Sequence, residues 1–196
     1  MTRTHSNWLL ACVFLAAPTL ALEKLGYAVI ADQDAFEVRQ YDAHILATVT
    51  VAAEFDEAGN RAFRDLFNFI DGANGSNQSI AMTAPVLQKP AGARWDVSFV
   101  MPASLTAAST PVPDAKHINI VSEPSTLMAA LAYSGSWSRT RYLEKEQELR
   151  SALTNAGYTA CGEPRFARHN PPFWPAFLRK NEVLIPLCTH TSVSSR

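Results

Sequence analysis

The spacing of apolar positions along the chain changes several times. Phe36-Glu37-Val38-Arg39-Gln40-Tyr41 alternates, and the run Ile45 to Val51 places Ile45, Ala47, Val49 and Val51 on one face, so both segments predict strands. The period then lengthens to that of a helix. Phe55, Ala58, Ala62, Leu66, Phe69 and Ile70 share a face, and Gly72 stands where such a helix should stop. A polar loop, ANGSNQS, leads to two more predicted strands, SIAMTAPVLQ and RWDVSFVMP, with KPAGA as the turn between them.

The second half repeats this order. HINIVSEP and LMAALAYSG have strand composition. SRTRYLEKEQELRSALTNAG predicts a helix with Leu149, Leu153 and Ala156 on its apolar face, a solvated charged face, and Gly157 at its end. GEPRFARHN follows, and NEVLIPLCTH closes the pattern as a last strand. Strand, helix, strand, strand therefore occurs twice, which predicts an α+β domain: a curved antiparallel sheet or barrel of two similar halves with two helices outside it.

The opening residues stand apart from this pattern. MTRTHSN, the short apolar run WLLACVFLAAPTL, and small residues before Leu22 have the layout of a secretory signal peptide. Cleavage after Ala21 is expected, leaving residues 22–196 as one exported domain, periplasmic or secreted. Only four apolar residues, Trp8 to Ala11, precede Cys12, which argues against a lipoprotein cleavage box there. No later segment approaches the roughly 20 apolar residues that span a bilayer. A formal net charge of −1 gives no general affinity for nucleic acid or anionic membranes. Cys161 and Cys188 read equally as a disulfide of an oxidising compartment and as two buried thiols. Asn74 and Asn77 begin two consecutive glycosylation sequons, relevant only in a host that glycosylates exported proteins.

Catalytic signatures are scarce. The chain has no phosphate-binding glycine loop, dinucleotide fingerprint, GxSxG or HExxH, and its histidines are not spaced for zinc. Met82, Met101 and Met128 sit in apolar strand patterns and read as core.

Two aromatic clusters stand out. Phe63 and Phe67 lie four residues apart on the first helix beside its core stripe, with Arg64 between them. They are either the edge of a wide buried face or a flat wall with a cation at its rim. The other cluster is His169 to Val183, HNPPFWPAFLRKNEV. Pro171, Pro172 and Pro175 exclude helix and central strand, so Phe173, Trp174 and Phe177 sit on a stiff loop followed by Arg179 and Lys180. That loop is either a lid on the core or one wall of a slot. Two apolar walls with basic rims suit a planar apolar ligand carrying carboxylates, such as haem, another tetrapyrrole or an amphipathic acid.

FEVRQYDAHILATVTV, FRDLFNFIDGANGSNQSIAMTAPVL, WDVSFVMP and above all HNPPFWPAFLRKNEVLIPL resemble the SOUL haem-binding protein family over nearly all of the chain after the leader. The resemblance implies a distorted antiparallel β-barrel of two pseudo-symmetric βαββ halves flanked by two helices. It also implies a non-covalent tetrapyrrole site in the cleft between the first helix and the loop before the final strand. Relatives read closer to NPPWTPPFLRRNEV, so Trp174 is displaced by one position and Lys180 replaces an arginine. The expected site combines Phe63 and Phe67 as one wall, Trp174 and Phe177 as the other, Arg64 and Arg179 as propionate partners, and His169 as the candidate iron ligand. The expected function is reversible binding of haem or a related tetrapyrrole, as carrier, buffer or scavenger. The alternatives are an enzyme acting on tetrapyrroles through His169, a module for another amphipathic molecule, and aromatic clusters that are only core.

Overall fold

The structure is a computed structural model in which residues 22–188 are described, so the expected leader lies outside the described residues. In chain order the elements are β1 (Glu23–Lys24), β2 (Tyr27–Gln33), β3 (Phe36–Tyr41), β4 (His44–Val51), α1 (Phe55–Ile70), β5 (Thr83–Ala84), β6 (Val86–Ala91) and β7 (Arg94–Val100). They continue with β8 (Ile118–Glu123), β9 (Thr126–Ser134), α2 (Arg139–Asn155), β10 (Arg165–Arg168), a turn of 3-10 helix at Ala176–Leu178, and β11 (Lys180–Pro186).

Nine strands form one antiparallel sheet in the order β2-β3-β9-β11-β10-β6-β7-β4-β8, a curled half-barrel with β2 and β8 at its edges. The two expected halves are present. Matching β3, β4, α1, β6, β7 with β8, β9, α2, β10, β11 maps the strand order onto its own reverse, with the pseudo-twofold between β10 and β6. Each half also places its first strand beside the other half: β3 pairs with β9, and β8 with β4.

The two helices pack on the sheet through separate apolar clusters. Ala58, Ala62, Leu66 and Phe69 of α1 meet Ile45, Val49, Val97 and Phe99, while Tyr142, Leu149 and Leu153 of α2 meet Phe36, Leu131, Val183 and Ile185. Phe55 joins the two, its ring 5.0 Å from Tyr142 and 5.2 Å from Trp95. Each fully buried Leu or Phe here contributes about 1.5–3 kcal/mol. On the opposite sheet face Tyr41, Leu46, Leu87, Val100, Met128 and Leu184 form a third cluster, which is why β4 and β11 are buried on both sides.

The local signals correspond to visible features. Asp56 and Glu57 lie in the first turn of α1, where the helix dipole favours acids, and Gly72 follows its end at φ +115°. Ser138 caps α2, its hydroxyl accepting from the Arg141 amide, and Gly157 takes φ +77° just beyond. Three details differ from expectation. β2 was not anticipated, because an edge strand exposed along most of its length shows no alternation. The β6–β7 hairpin runs through Lys89 and Pro90 to a tighter turn at Gly92-Ala93. Pro90 is tolerated because β10 pairs only with Val86 to Gln88, leaving no ladder bond for the missing amide. Ala156 is the exposed C-cap of α2, and Tyr142 fills the buried face instead.

Cys161 and Cys188 are joined in a disulfide with Cα atoms 5.1 Å apart, tying the approach to β10 to the end of β11. Among the described residues no helix is long and apolar enough to cross a membrane.

Candidate functional site

The line Gly59, Phe63, Phe67 runs along α1 at four-residue spacing beside the core stripe. Phe63 is half-buried. One side packs edge-on against Phe99 at 5.4 Å, and its ring stacks with Phe67 at 5.9 Å and 15°. Opposite this line, β10 ends at Arg168 and the proline-aromatic loop begins. The loop is held by its own polar groups: the Lys180 amide donates to Asn170 Oδ1 at 2.6 Å, and Arg179 donates to the carbonyls of Trp174 (2.9 Å) and Pro172 (2.6 Å).

Between α1 and this loop lies a cavity of about 460 Å³ with a largely apolar lining. Gly59, Asn60 and Phe63 form one side and His169 to Phe173 the other. The segment Met82 to Val86, which includes the cis Ala84–Pro85 bond, and Trp137 complete the wall, with Leu22 at the mouth. Trp137 is fixed by its indole N–H, which donates to Asn181 Oδ1 at 2.8 Å, while the Asn181 amide donates to the Gly135 carbonyl. The guanidinium carbons of Arg168 and Arg179 lie 5.0 and 4.4 Å from the Trp137 ring centre.

The anticipated residues fall into distinct places. Phe63 and His169 line the cavity. Phe67 is stacked behind Phe63, outside the lining. Arg64 lies next door, in an open polar groove on the outer surface of α1 with Glu57, Arg61 and Asp65. Trp174 and Phe177 project from the loop at 41% and 75% exposure, so they do not cap the core. Arg179 staples the loop and stacks on Trp137. Phe173, Trp137, Gly59, Met82 and Arg168 were not among the anticipated site residues but line the cavity.

His169 donates from Nε2 to Glu182 Oε2 at 2.8 Å, and its side chain is 14% exposed. Glu182 also accepts from Arg39 and Lys180, each at 3.1 Å. Burial alone would raise the Glu182 carboxyl. The hydrogen bond and charge of His169, with Arg39 and Lys180, outweigh it and hold the group at about 2. Ligation of a metal by His169 would use Nδ1 or break the bond to Glu182. Among the described residues no cluster of three His, Cys, Asp or Glu is arranged for a metal ion.

Arg168 is 6% exposed and Nε has no hydrogen-bond partner, while Nη2 donates to Gln88 Oε1. Burial, reinforced by the like charge of Arg179, lowers the group to about 10 against the partial support of Tyr133 and Asp56, so it stays cationic at neutral pH.

Similar folds occur in proteins of unrelated sequence. The crystal structure of the EcmrR C-terminal domain superposes with a TM-score of 0.61 at 12% identity, covering 83% of this chain and 98% of that one. A hydrolase from Listeria innocua superposes at 0.56 and 10% identity, covering 81% and 94%. These likenesses concern the fold alone. In sequence, Heme-binding protein 1 of Xenopus tropicalis is 28% identical over 166 residues, 78% of this chain and 83% of the relative. Residues 22–186 match the SOUL heme-binding protein family almost from end to end of the described chain, and the protein belongs to that family.

Proposed function

We propose that the protein binds haem or a related tetrapyrrole reversibly and non-covalently, as an exported carrier, buffer or scavenger, in the cavity between α1 and the loop 169–179. The observation that carries this is the cavity itself: about 460 Å³, apolar, and within the roughly 300–1,000 Å³ usual for small-molecule sites. Phe63 and Phe173 offer faces to a planar ring, and the ring supplies the iron and a large apolar surface. Three prolines and the Arg179 staple hold the loop wall in place before binding, which reduces the entropy lost on association. Family membership and the similarity to a protein named for haem binding support the ligand class. The disulfide supports export, since such bonds persist in oxidising compartments.

The test is a titration of residues 22–196 with hemin, following the Soret band and tryptophan quenching, in wild type and Phe63→Ala. A saturable one-to-one transition, weakened about tenfold or more by Phe63→Ala, is expected. An unsaturable shift identical in both proteins would sink the proposal.

The His169–Glu182 pair at the cavity wall favours one second reading. A buried carboxylate orienting a histidine towards a ligand is the arrangement of a general base, so an enzyme acting on a tetrapyrrole is the alternative. His169→Ala would then abolish turnover of a bound porphyrin, whereas a binding protein would show no turnover in either form.

A further inference from the structure

Among the described residues three arginines are buried: Arg39, Arg165 and Arg168. Arg39 meets Glu182 at 3.1 Å and Arg165 meets Glu123 at 2.8 Å. Arg168 has no carboxylate within ion-pair distance among the described residues. A buried charge left without a counter-charge costs several kcal/mol, and folded proteins normally pair it. This one is instead placed on the wall of an apolar cavity.

The surroundings hold the guanidinium there without neutralising it. The rings of Trp137 and Phe166 lie 5.0 Å from its central carbon, and Gln88 supplies one neutral acceptor. α1 makes room with Gly59, where a Cβ would collide with Nη1. Nε remains without a partner. Burial, the main influence on the group, does not remove its charge at neutral pH.

We propose that Arg168 anchors a carboxylate carried by the cavity's ligand, so that the site takes an apolar planar acid and discriminates against its ester. The proposal rests on the cavity being the ligand site proposed above. A guanidinium pairs with a carboxylate through parallel, charge-assisted hydrogen bonds, and a mono-anion matches the one arginine or lysine charge that lines the cavity among the described residues. A phosphate dianion would exceed it, because the neighbouring His169 is already engaged by Glu182. The carboxylate can come from a tetrapyrrole propionate or from another amphipathic acid.

Two acid and ester pairs separate these sources: hemin with hemin dimethyl ester, and pyrenebutyrate with its methyl ester. Each is titrated into wild type, Arg168→Met and Arg168→Lys, using absorbance for the first pair and pyrene fluorescence for the second. Wild type should prefer acid over ester by about tenfold or more, the scale of one charge-assisted hydrogen bond. Arg168→Met should abolish the preference and Arg168→Lys should keep part of it. Should Arg168→Met not fold, the wild-type ratio and Arg168→Lys still decide. Saturable binding of hemin and its ester with equal affinity, or a preference that survives in Arg168→Met, overturns the role of Arg168 while leaving tetrapyrrole binding intact. A preference seen only with pyrenebutyrate supports Arg168 and overturns the tetrapyrrole reading. No saturable binding of any of the four overturns both.

Discussion

Replacing Glu182 with glutamine removes the carboxylate on which Arg39, Lys180 and His169 converge. The side chain is 2% exposed and contacts Arg39, Lys180 and His169 at 2.8–3.1 Å. Two routes give the magnitude. Breaking a buried ion pair by removing one partner costs about 3–5 kcal/mol, with the lower end expected here because glutamine still accepts a hydrogen bond. Separately, the carboxyl moves from its ordinary 4.5 to about 2 on folding, equivalent to about 3 kcal/mol. A depressed folded-state value means that this stability is fully present above pH 4.5 and is lost as pH falls towards 2. Urea unfolding of wild type and Glu182→Gln should therefore differ by about 3 kcal/mol at pH 7, and by less than half of that at pH 3. The corresponding drop in Tm at pH 7 is about 6–12 °C for a chain of this size. Equal stability at pH 7, or a gap of the same size at both pH values, refutes the reasoning.

Other substitutions follow from burial and close approach. Gly59→Ala should lower stability by about 1–3 kcal/mol, although alanine is the better helix former, because its methyl collides with Arg168. Denaturant midpoints measure this, and a stabilised variant would show that Arg168 moves aside freely. Phe177→Ala, at 75% exposure, should change stability by less than about 0.5 kcal/mol, whereas Phe166→Ala, at 0%, should cost about 3–5 kcal/mol. Similar losses in both would return the loop to the role of a core lid. Converting Cys161 and Cys188 to serine opens a loop with a sequence separation of 27 and should cost about 3–4 kcal/mol, read from melting curves with and without reductant.

The fold was legible wherever one face of an element is buried. Phe55 to Ile70 declares its helix because the buried residues keep a 3.6 period, and the repeated order of elements announces two halves. β2 was not legible because its side chains face solvent and carry no pattern. The candidate site divides the same way. Phe63 could be found because a second aromatic four residues on marks an extra apolar face. Arg168 could not, since GEPRFARHN carries two arginines and no local pattern that marks either as buried. Only the tertiary arrangement shows α1 closing over it at a glycine and a tryptophan arriving from the turn before α2. Trp174 and Arg179 carried the strongest local signal, yet Trp174 lies outside the cavity lining and Arg179 braces the loop.

The exchange of first strands between the halves governs how the chain can fold. Tyr41 pairs with Thr126 and His44 with Glu123, so the edges of each half are completed by residues roughly 80 positions away. Synthesis of the first half alone leaves β3 and β4 with unsatisfied ladders, the kind of edge that invites pairing with another chain. Closing such distant contacts is slow compared with local helix formation. A separately expressed half would therefore lack half of its own borders, and the ribosome must deliver β9 before the first half has a complete sheet to join.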